Sequence, residues 1–403
     1  MARPCSTICL PIGKDAYQDL IGDPKRFRDC PELFPEAFAS GYTIKDGRTS
    51  AKTGLRLRRV RLKSTGEAFS VRPSFALPYM TALAGDVQGP LFLRCFGVPF
   101  WALARVFGRG PMYWYRLEVG LGRNSAAGTT LRRARLPAHL LADEHHQPRD
   151  GVKNYVATTV GAGCCLGAAL AQTAGAEDLQ AAYGAFKREA GGAQPGYRPR
   201  TVSVDGWAAT RQAWQALFPL AVLPRCFLHG WLNIRSRGKL TASFAALSER
   251  AWAAFHAPSR RGFAQRLRRL WEWARVQELT AWVPEQVRKL CARSREYGLA
   301  YAHPGGHRTS NMLDRVMRAM SRYNGSGQHL HGSAEACGRH VRAWALLYNF
   351  RPWRPATARA NGGWRCPAER LNKHRYHEDW LQNLLASASL GGYRRSINPP
   401  HNP

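Results

Sequence analysis

The chain has 403 residues, 45% of them hydrophobic, long enough to bury a real core and to fold as two or three domains. Lys and Arg outnumber Asp and Glu by 59 to 27, and the resulting +32 repels itself unless a polyanion is the partner, nucleic acid before a membrane surface. A membrane span is excluded, because the longest apolar runs are cut by Arg or Gly well short of the ~20 residues one needs; so is a disulfide-stapled scaffold, because ten Cys are scattered without a C-x-x-C pair.

Only ten of the basic residues are Lys. Arg, whose planar fork grips phosphate through two hydrogen bonds, therefore dominates the cationic surface. A GC-rich genome favours Arg codons too, but codon usage shifts the Arg to Lys ratio without creating net charge. The first residues do not read as a secretory signal, and the expected compartment is a reducing cytoplasm.

Residues 1–85 form an N-terminal basic region. Its first fifty residues, rich in Pro, Gly and charge, predict a loosely ordered arm or an irregular cap. Leu55 to Phe75 predicts a basic β-hairpin around Ser64-Thr65-Gly66, able to lie along phosphates or to be an ordinary solvated hairpin. In 86–130, three short apolar segments are separated by Gly97-Val98-Pro99 and Gly108-Arg109-Gly110, and Pro99 and Pro111 each suit a first helical turn. This predicts a helix-turn-helix with Arg109, Tyr113 and Arg116 toward DNA and Trp101, Val106 and Leu117 packed. Three small helices packing on each other are the simpler alternative.

From 131 to 239, three strand-like runs precede a helix, a strand, a helix and a strand, predicting a mixed five-stranded α/β sheet in the ribonuclease-H-like order with flanking helices. Cys164 and Cys165 fall in an apolar stretch as small core residues. Residues 240–305 turn wholly helical, an all-α insertion. Residues 306–350 resume with Thr309 to Tyr323, where Ser310 or Asn311 is the N-cap and Leu313, Val316, Met317 and Met320 share one face, followed by a helix over Ala334 to Phe350. Residues 351–403 predict a basic tail, an Arg/Pro/Gly linker and then a helix over Asp379 to Leu390.

Three acids stand in settings that favour metal-assisted phosphodiester chemistry. Activating a water or a 3′-hydroxyl while stabilising a departing oxygen is economically done by two divalent ions held by carboxylates, and hard ions such as Mg²⁺ accept oxygen ligands while keeping several waters. Asp143 follows the apolar Leu140-Leu141-Ala142, where an unpaired carboxylate is costly. Asp205 follows Val202-Ser203-Val204, with Gly206 next to open the backbone. Each could instead be a strand-end Asp capping the turn that follows.

The runs LADEHHQ, YVATTVGAGCCLGAAL and SVDGW, the C-x-x-H of Cys226-Phe227-Leu228-His229, and TSNMLD together resemble the catalytic core of DDE transposases of bacterial insertion sequences, over residues 136 to 350. The acids are spaced by 62 residues from Asp143 to Asp205 and by 109 onward to Asp314. The resemblance implies that Asp143 touches two Mg²⁺ (or Mn²⁺) ions, that Asp205 and Asp314 touch one each, and that His229 orients the site. Cys226 and Asn311 would support it, and Arg315 and Arg318 would face DNA. It further implies double-stranded DNA (element ends and target) as partner, a homo-oligomer on that DNA, and a nucleoid-associated location. Many relatives carry Glu where this chain has Asp314, which leaves Glu335 or Glu296 as substitutes; Asp314 could also be an ion-pair partner of Arg318, and Cys226 and His229 a buried Cys and a helix-start His.

Lesser signals weigh toward structure. Glu144, His145 and His146 alternate faces along the strand, so at most Glu144 or one His joins Asp143. His374, His377 and Glu378 read as a solvated turn, and Gly161-x-Gly163 as a hairpin turn with no phosphate-loop Lys after it. The rival functions are a ribonuclease-H-like nuclease that cleaves without joining, and a transposase-derived DNA-binding regulator without catalysis.

Overall fold

Two four-stranded mixed sheets carry an α/β fold, which the computed structural model describes over residues 6–22, 30–51, 53–78, 80, 82–239, 242–326 and 330–393. The first sheet holds β1 (Thr7–Leu10), β2 (Tyr42–Thr49), β3 (Arg56–Leu62) and β4 (Ala68–Pro73) in the order β1-β4-β3-β2, with α1 (Lys14–Gly22) between β1 and β2. Only β1 and β4 run parallel. The expectation of a loosely ordered arm or an irregular cap over the first fifty residues is corrected for the described ones, 6–22 and 30–50, the rest of that stretch lying outside the described residues. Ile8 and Leu10 of β1, with Leu33, Phe34 and Phe38, close a core against Val60, Leu62 and Val71, and β2 completes the edge through pairs such as Tyr42 with Leu62. Short strands among Pro, Gly and charged residues carry too little periodicity to be recognised without their partners.

Next come α2 (Ala84–Arg94), α3 (Phe100–Phe107), α4 (Pro111–Leu121) and α5 (Ala126–Thr130). Gly108 and Arg109 both take positive φ between α3 and α4, and Pro111 opens α4 at its first turn. The second sheet holds β5 (His139–Arg149), β6 (Val152–Gly161), β7 (Cys164–Ala171) and, after α6 (Ala176–Ala193), β8 (Thr201–Ser203), ordered β7-β6-β5-β8 with β8 parallel to β5 and the other pairs antiparallel. Helix α7 (Ala208–Leu217) packs on α6.

Where a fifth strand is expected there are two isolated parallel bridges, Thr201 with Val222 and Val204 with Arg225. Val222 N–H donates to Arg200 O (3.0 Å) and Cys226 N–H to Val204 O (2.8 Å), while Pro224 stands between them. Proline has no N–H to donate, so the ladder breaks at its centre and the segment falls short of a strand.

Helices α8 (Phe227–Gly238), α9 (Phe244–Phe255), α10 (Arg260–Val276), α11 (Trp282–Ala292) and α12 (Ser294–Gly298) share a core of their own around Phe227, Trp231, Leu247, Phe263 and Val287. The chain returns through α13 (Asn311–Gly325) and α14 (Ala334–Phe350) and ends in α15 (Pro355–Ala360), α16 (Pro367–Asn372) and α17 (Trp380–Ser387). The basic tail expected from residue 351 is packed structure through residue 393. Leu381, Leu384 and Leu385 lie in the main core with α4, α13 and α14; Cys9 N–H donates to Ser389 Oγ (2.9 Å), and Ser125 N–H to Gly391 O (2.7 Å). Residues 1–5 and 394–403 of the expected arm and tail lie outside the described residues.

The expected packing of α3 is also corrected. Leu117 is buried as expected, but Trp101 and Val106 are 68% and 72% exposed, because α3 and α4 bury Leu103 and Trp114 in their place. Helix α4 packs on α14, and its buried Glu118 pairs with Arg94 of α2, Nε to Oε2 at 2.9 Å.

One buried side chain ties the second sheet to α14. Asn349 accepts from Cys165 N–H and donates to Cys165 O and Thr130 Oγ1, each at 2.8 Å. Replacing it with Ala strands a strand N–H and two acceptors without water, at about 1–3 kcal/mol each. Asn349→Ala is expected to lose about 3 kcal/mol in a urea melt, and a loss under 1 kcal/mol would refute the assigned role.

Candidate active site

Asp143 stands where the buried stretch Leu140–Ala142 of β5 ends, opposite Thr158 of β6. Asp205 follows β8 in the turn before α7; its Oδ1 accepts from Trp207 N–H at 2.7 Å, so it caps that turn as well as facing the site. Asp314 lies in the first turn of α13, and Ser310, at the N-cap position, donates its hydroxyl to both Asp314 carboxylate oxygens at 3.1 Å. His229, in the first turn of α8, brings Nε2 to 3.9 Å from Asp143 Oδ2. Four residues scattered over 172 positions of chain thus gather halfway along β5, level with the end of β8: His229 is in contact with Asp143, and Asp143 feels the charges of Asp205 and Asp314.

Their electrostatics record the meeting. Burial, then the nearby Asp205 charge and more weakly that of Asp314, pushes the Asp143 carboxyl up to about 6, against the opposing pull of His229 and of the Glu144 N–H. The adjacent Cys226 sulfur, with the Asp143 and Asp205 charges, outweighs burial and pushes the His229 imidazole up to about 9. His229, favoured in its protonated form, thus stands beside acids that repel one another. Cys226 is itself buried.

Glu144 points away from Asp143, as strand alternation requires. It accepts from Tyr183 Oη (2.7 Å) and Thr210 Oγ1 (2.9 Å), and burial pushes its carboxyl up to about 7. His145 Nε2 meets Ser321 Oγ at 3.1 Å. Neither Tyr183 nor Thr210 carried any signal in the sequence beyond apolar helical spacing.

The donor chemistry suits a hard divalent ion: three carboxylates, one within a strand, one in the turn after a strand and one on a helix, with the nearby Cys226 thiol buried. Among the described residues no three His, Cys, Asp or Glu side chains are drawn into a ready-made cage. Mg²⁺, which retains several waters, needs few direct protein ligands. Asp143, Asp205 and Asp314 would hold such ions.

The proposed substitutes for Asp314 are engaged elsewhere. Glu296 pairs with Arg225 (3.1 Å) and Arg211 (3.8 Å), and the exposed Glu335 pairs with Arg339 at 2.5 Å. Arg318 Nε donates to the backbone oxygen of Asp314 at 3.3 Å, not to its carboxylate. Arg315, Arg318 and Asn311 are exposed on α13. Away on α4 and the turn before it, Arg109 and Arg116 are exposed, while Tyr113 is half-buried against the main core with the Arg109 guanidinium 5.6 Å from its ring centre. His377 Nδ1 accepts from Asp379 N–H (2.9 Å) and Glu378 pairs with Arg365 (2.7 Å), so that tail cluster is structural.

The sequence reading missed the surroundings of Asp205. Gly206 has φ +97°, and a Cβ there would stand 2.1 Å from the guanidinium carbon of Arg225. An open cleft runs from Asp205 and His229 to α11 and α12. No helix among the described residues is long and apolar enough to cross a membrane. A scan against protein-family models gives no match, and a search of curated proteins gives none.

Proposed function

We propose that the chain is a DDE-type transposase: it binds the ends of its own element, hydrolyses a DNA phosphodiester and joins the freed 3′-hydroxyl to target DNA. The observation that carries this reading is the grouping of Asp143, halfway along β5, with Asp205 just past β8, His229 and the first turn of α13 that bears Asp314, in a sheet ordered β7-β6-β5-β8. That order, continued by the bridges at Val222 and Arg225, supports a ribonuclease-H-like core whose fifth strand Pro224 has interrupted.

Bound at the three carboxylates, two Mg²⁺ or Mn²⁺ ions would supply Lewis-acid activation of the attacking oxygen and neutralise charge on the departing one. The protein's own part is to hold and to orient. Asp143 presents its carboxylate at a buried strand position. Ser310 fixes Asp314 by donating to both its oxygens, and the Trp207 N–H fixes Asp205. His229 lays a positive charge beside Asp143, where a substrate phosphate would approach. Exposed Arg109, Arg116, Arg315 and Arg318 would grip the duplex backbone, with the α3–α4 region as the helix-turn-helix element. Synapsis of two element ends would require a homo-oligomer.

The test uses duplexes copied from the inverted repeats flanking the gene, incubated with the purified chain and Mn²⁺ or Mg²⁺. Pre-cleaved ends are expected to appear joined to a target plasmid on a gel. Cleavage without joined products points instead to a nuclease, and duplex binding with no metal-dependent cleavage to a DNA-binding regulator; either result overturns the proposal.

A further inference from the structure

We propose that the cleft between Asp205 and the helical insertion is a phosphate subsite, in which Lys289 and Arg293, backed by Arg225, hold a backbone phosphate of the DNA strand next to the one that reacts. The inference rests on the reading of the three acids as a DNA-cleaving centre and names the part of the substrate that lies beside it.

The cleft is built from both bodies. The sheet side contributes Asp205 and Arg225; α8 contributes His229 and Asn233; α11 and its C-terminal turn contribute Lys289 and Arg293; α12 contributes Tyr297. Two glycines make room for it, each next in sequence to a site residue. Gly206, after Asp205, lies against the Arg225 guanidinium, and a Cβ at Gly230, after His229, would stand 2.7 Å from both Leu290 Cδ1 and the Tyr297 hydroxyl. Gly206 thus admits the Arg225 guanidinium beside Asp205, and Gly230 lets α11 and α12 close on α8 beside His229.

Charge decides what the cleft accepts. Arg225 is only 14% exposed and is neutralised in place by Glu296 at 3.1 Å, which makes it a rigid wall and a tether for α12. Lys289 is half-exposed; its neighbour Glu285, at 3.6 Å, is shared with Arg288 at 2.7 Å. Arg293 and Arg225 both act on the buried Tyr297 phenol, opposing the burial that raises its pKa. With Arg225 matched by Glu296 and Glu285 divided between Lys289 and Arg288, Arg293 and part of the Lys289 charge are left facing the cleft, whose lining carboxylate, Asp205, belongs to the metal-holding set. A phosphodiester matches it: one negative charge, oxygens within reach of an ammonium and a guanidinium, and a neighbouring phosphate one nucleotide away for the acids.

The experiment follows the salt dependence of binding by fluorescence anisotropy, with the full chain and a labelled 30-base-pair duplex of arbitrary sequence. Lys289 and Arg293 are exposed, so K289A/R293A is expected to melt with the parent. Its slope of log affinity against log salt should shrink by about 2, close to one counterion for each cation removed. Affinity at 0.15 M salt should fall about tenfold, and charge reversal in K289E/R293E should weaken it further. The paired change R354A/R359A on and beside α15, outside the cleft, should leave the slope within about 0.5 of the parent.

An unchanged slope in K289A/R293A overturns the inference, as does an equal loss in R354A/R359A. Sodium phosphate alone, added against matched chloride in a thermal melt, tests for a free-anion site; stabilisation that depends on Lys289 and Arg293 with an unchanged DNA slope also overturns it. If the parent cleaves and joins DNA while the slope is unchanged, this inference falls alone. If the slope shrinks while the parent never cleaves, the transposase reading falls and the phosphate subsite stands.

Discussion

Asp143→Asn is expected to lower metal-dependent DNA cleavage by about a thousand-fold or more while leaving the metal-free chain at least as stable as the parent at pH 8. The loss follows from removing a charged oxygen ligand from the centre of the site, where each factor of a thousand is about 4 kcal/mol of barrier. The stability follows from the sign of the carboxyl's displacement. Burial and the Asp205 charge raise Asp143 to about 6 in the folded chain, above the ordinary carboxylate value near 4. Its contribution is therefore fully present below pH 4 and is lost as pH rises through about 6, so at pH 8 the ionised group costs about 2–3 kcal/mol. Asn has no charge to ionise and escapes that cost. Added Mn²⁺ should reverse the order, raising the melting temperature of the parent and not of the variant, since a ligand that binds only the native state stabilises it by mass action. Cleavage retained in the variant, or a metal-free melting temperature at pH 8 lower than the parent's by several degrees, would sink the assignment.

The outline of that site was legible because its carriers obey local rules. A buried apolar run followed by Asp, twice over, marks Asp143 and Asp205 by the cost of leaving a carboxylate there unneutralised, although β5 runs on to Arg149, so that Asp143 stands within its strand and not at its end; Asp314 was marked by the resemblance of TSNMLD, on a helix whose stripe of Leu313, Val316 and Met320 is buried. What failed to show was non-local. Strands β1 and β2 exist through partners tens of residues away, and the run after α17 is held by Cys9 and Ser125 from the other end of the chain. Trp101 and Val106 misled because hydrophobicity says which residues can be buried and not which are. Gly206 was noticed as an opening, yet the reason for it, the Arg225 guanidinium against its backbone, arises only once the segment after α7 bridges back to Val204.

Arg94→Met is expected to cost about 3–5 kcal/mol, among the largest single-residue losses in the chain, because it leaves the Glu118 carboxylate buried without its cation. Arg94 and Glu118 are 1% and 0% exposed and meet at 2.9 Å, with His340 Nδ1 3.2 Å from the second Glu118 oxygen, and the guanidinium lies 4.5 Å and 4.0 Å from the ring centres of Phe100 and Tyr323. Burial alone would raise Glu118, but the Arg94 charge, helped by His340, holds it below the ordinary carboxylate value. In the parent this stability is present above the ordinary pKa and is lost as pH falls through the depressed one. In Arg94→Met the cation is gone, burial dominates and the carboxyl rises, so the deficit should be largest at pH 8 and shrink toward pH 5 as Glu118 takes up a proton. Urea melts at the two pH values measure this, and Arg94→Met combined with Glu118→Met should recover much of the loss, since an apolar pair of matching volume carries no desolvation penalty. A deficit independent of pH, with no recovery in the double variant, would show that packing and not charge sets the value of the pair. The consequence reaches the acids. Arg94 Nη1 also donates to Ser326 Oγ at 2.8 Å and to Tyr323 O at 3.4 Å, at the end of α13, the helix that presents Asp314. Arg94→Met should therefore weaken Mn²⁺ stabilisation more than the stability loss alone accounts for, because a shift of about 1 Å in a ligand-bearing helix is enough to spoil a shared site.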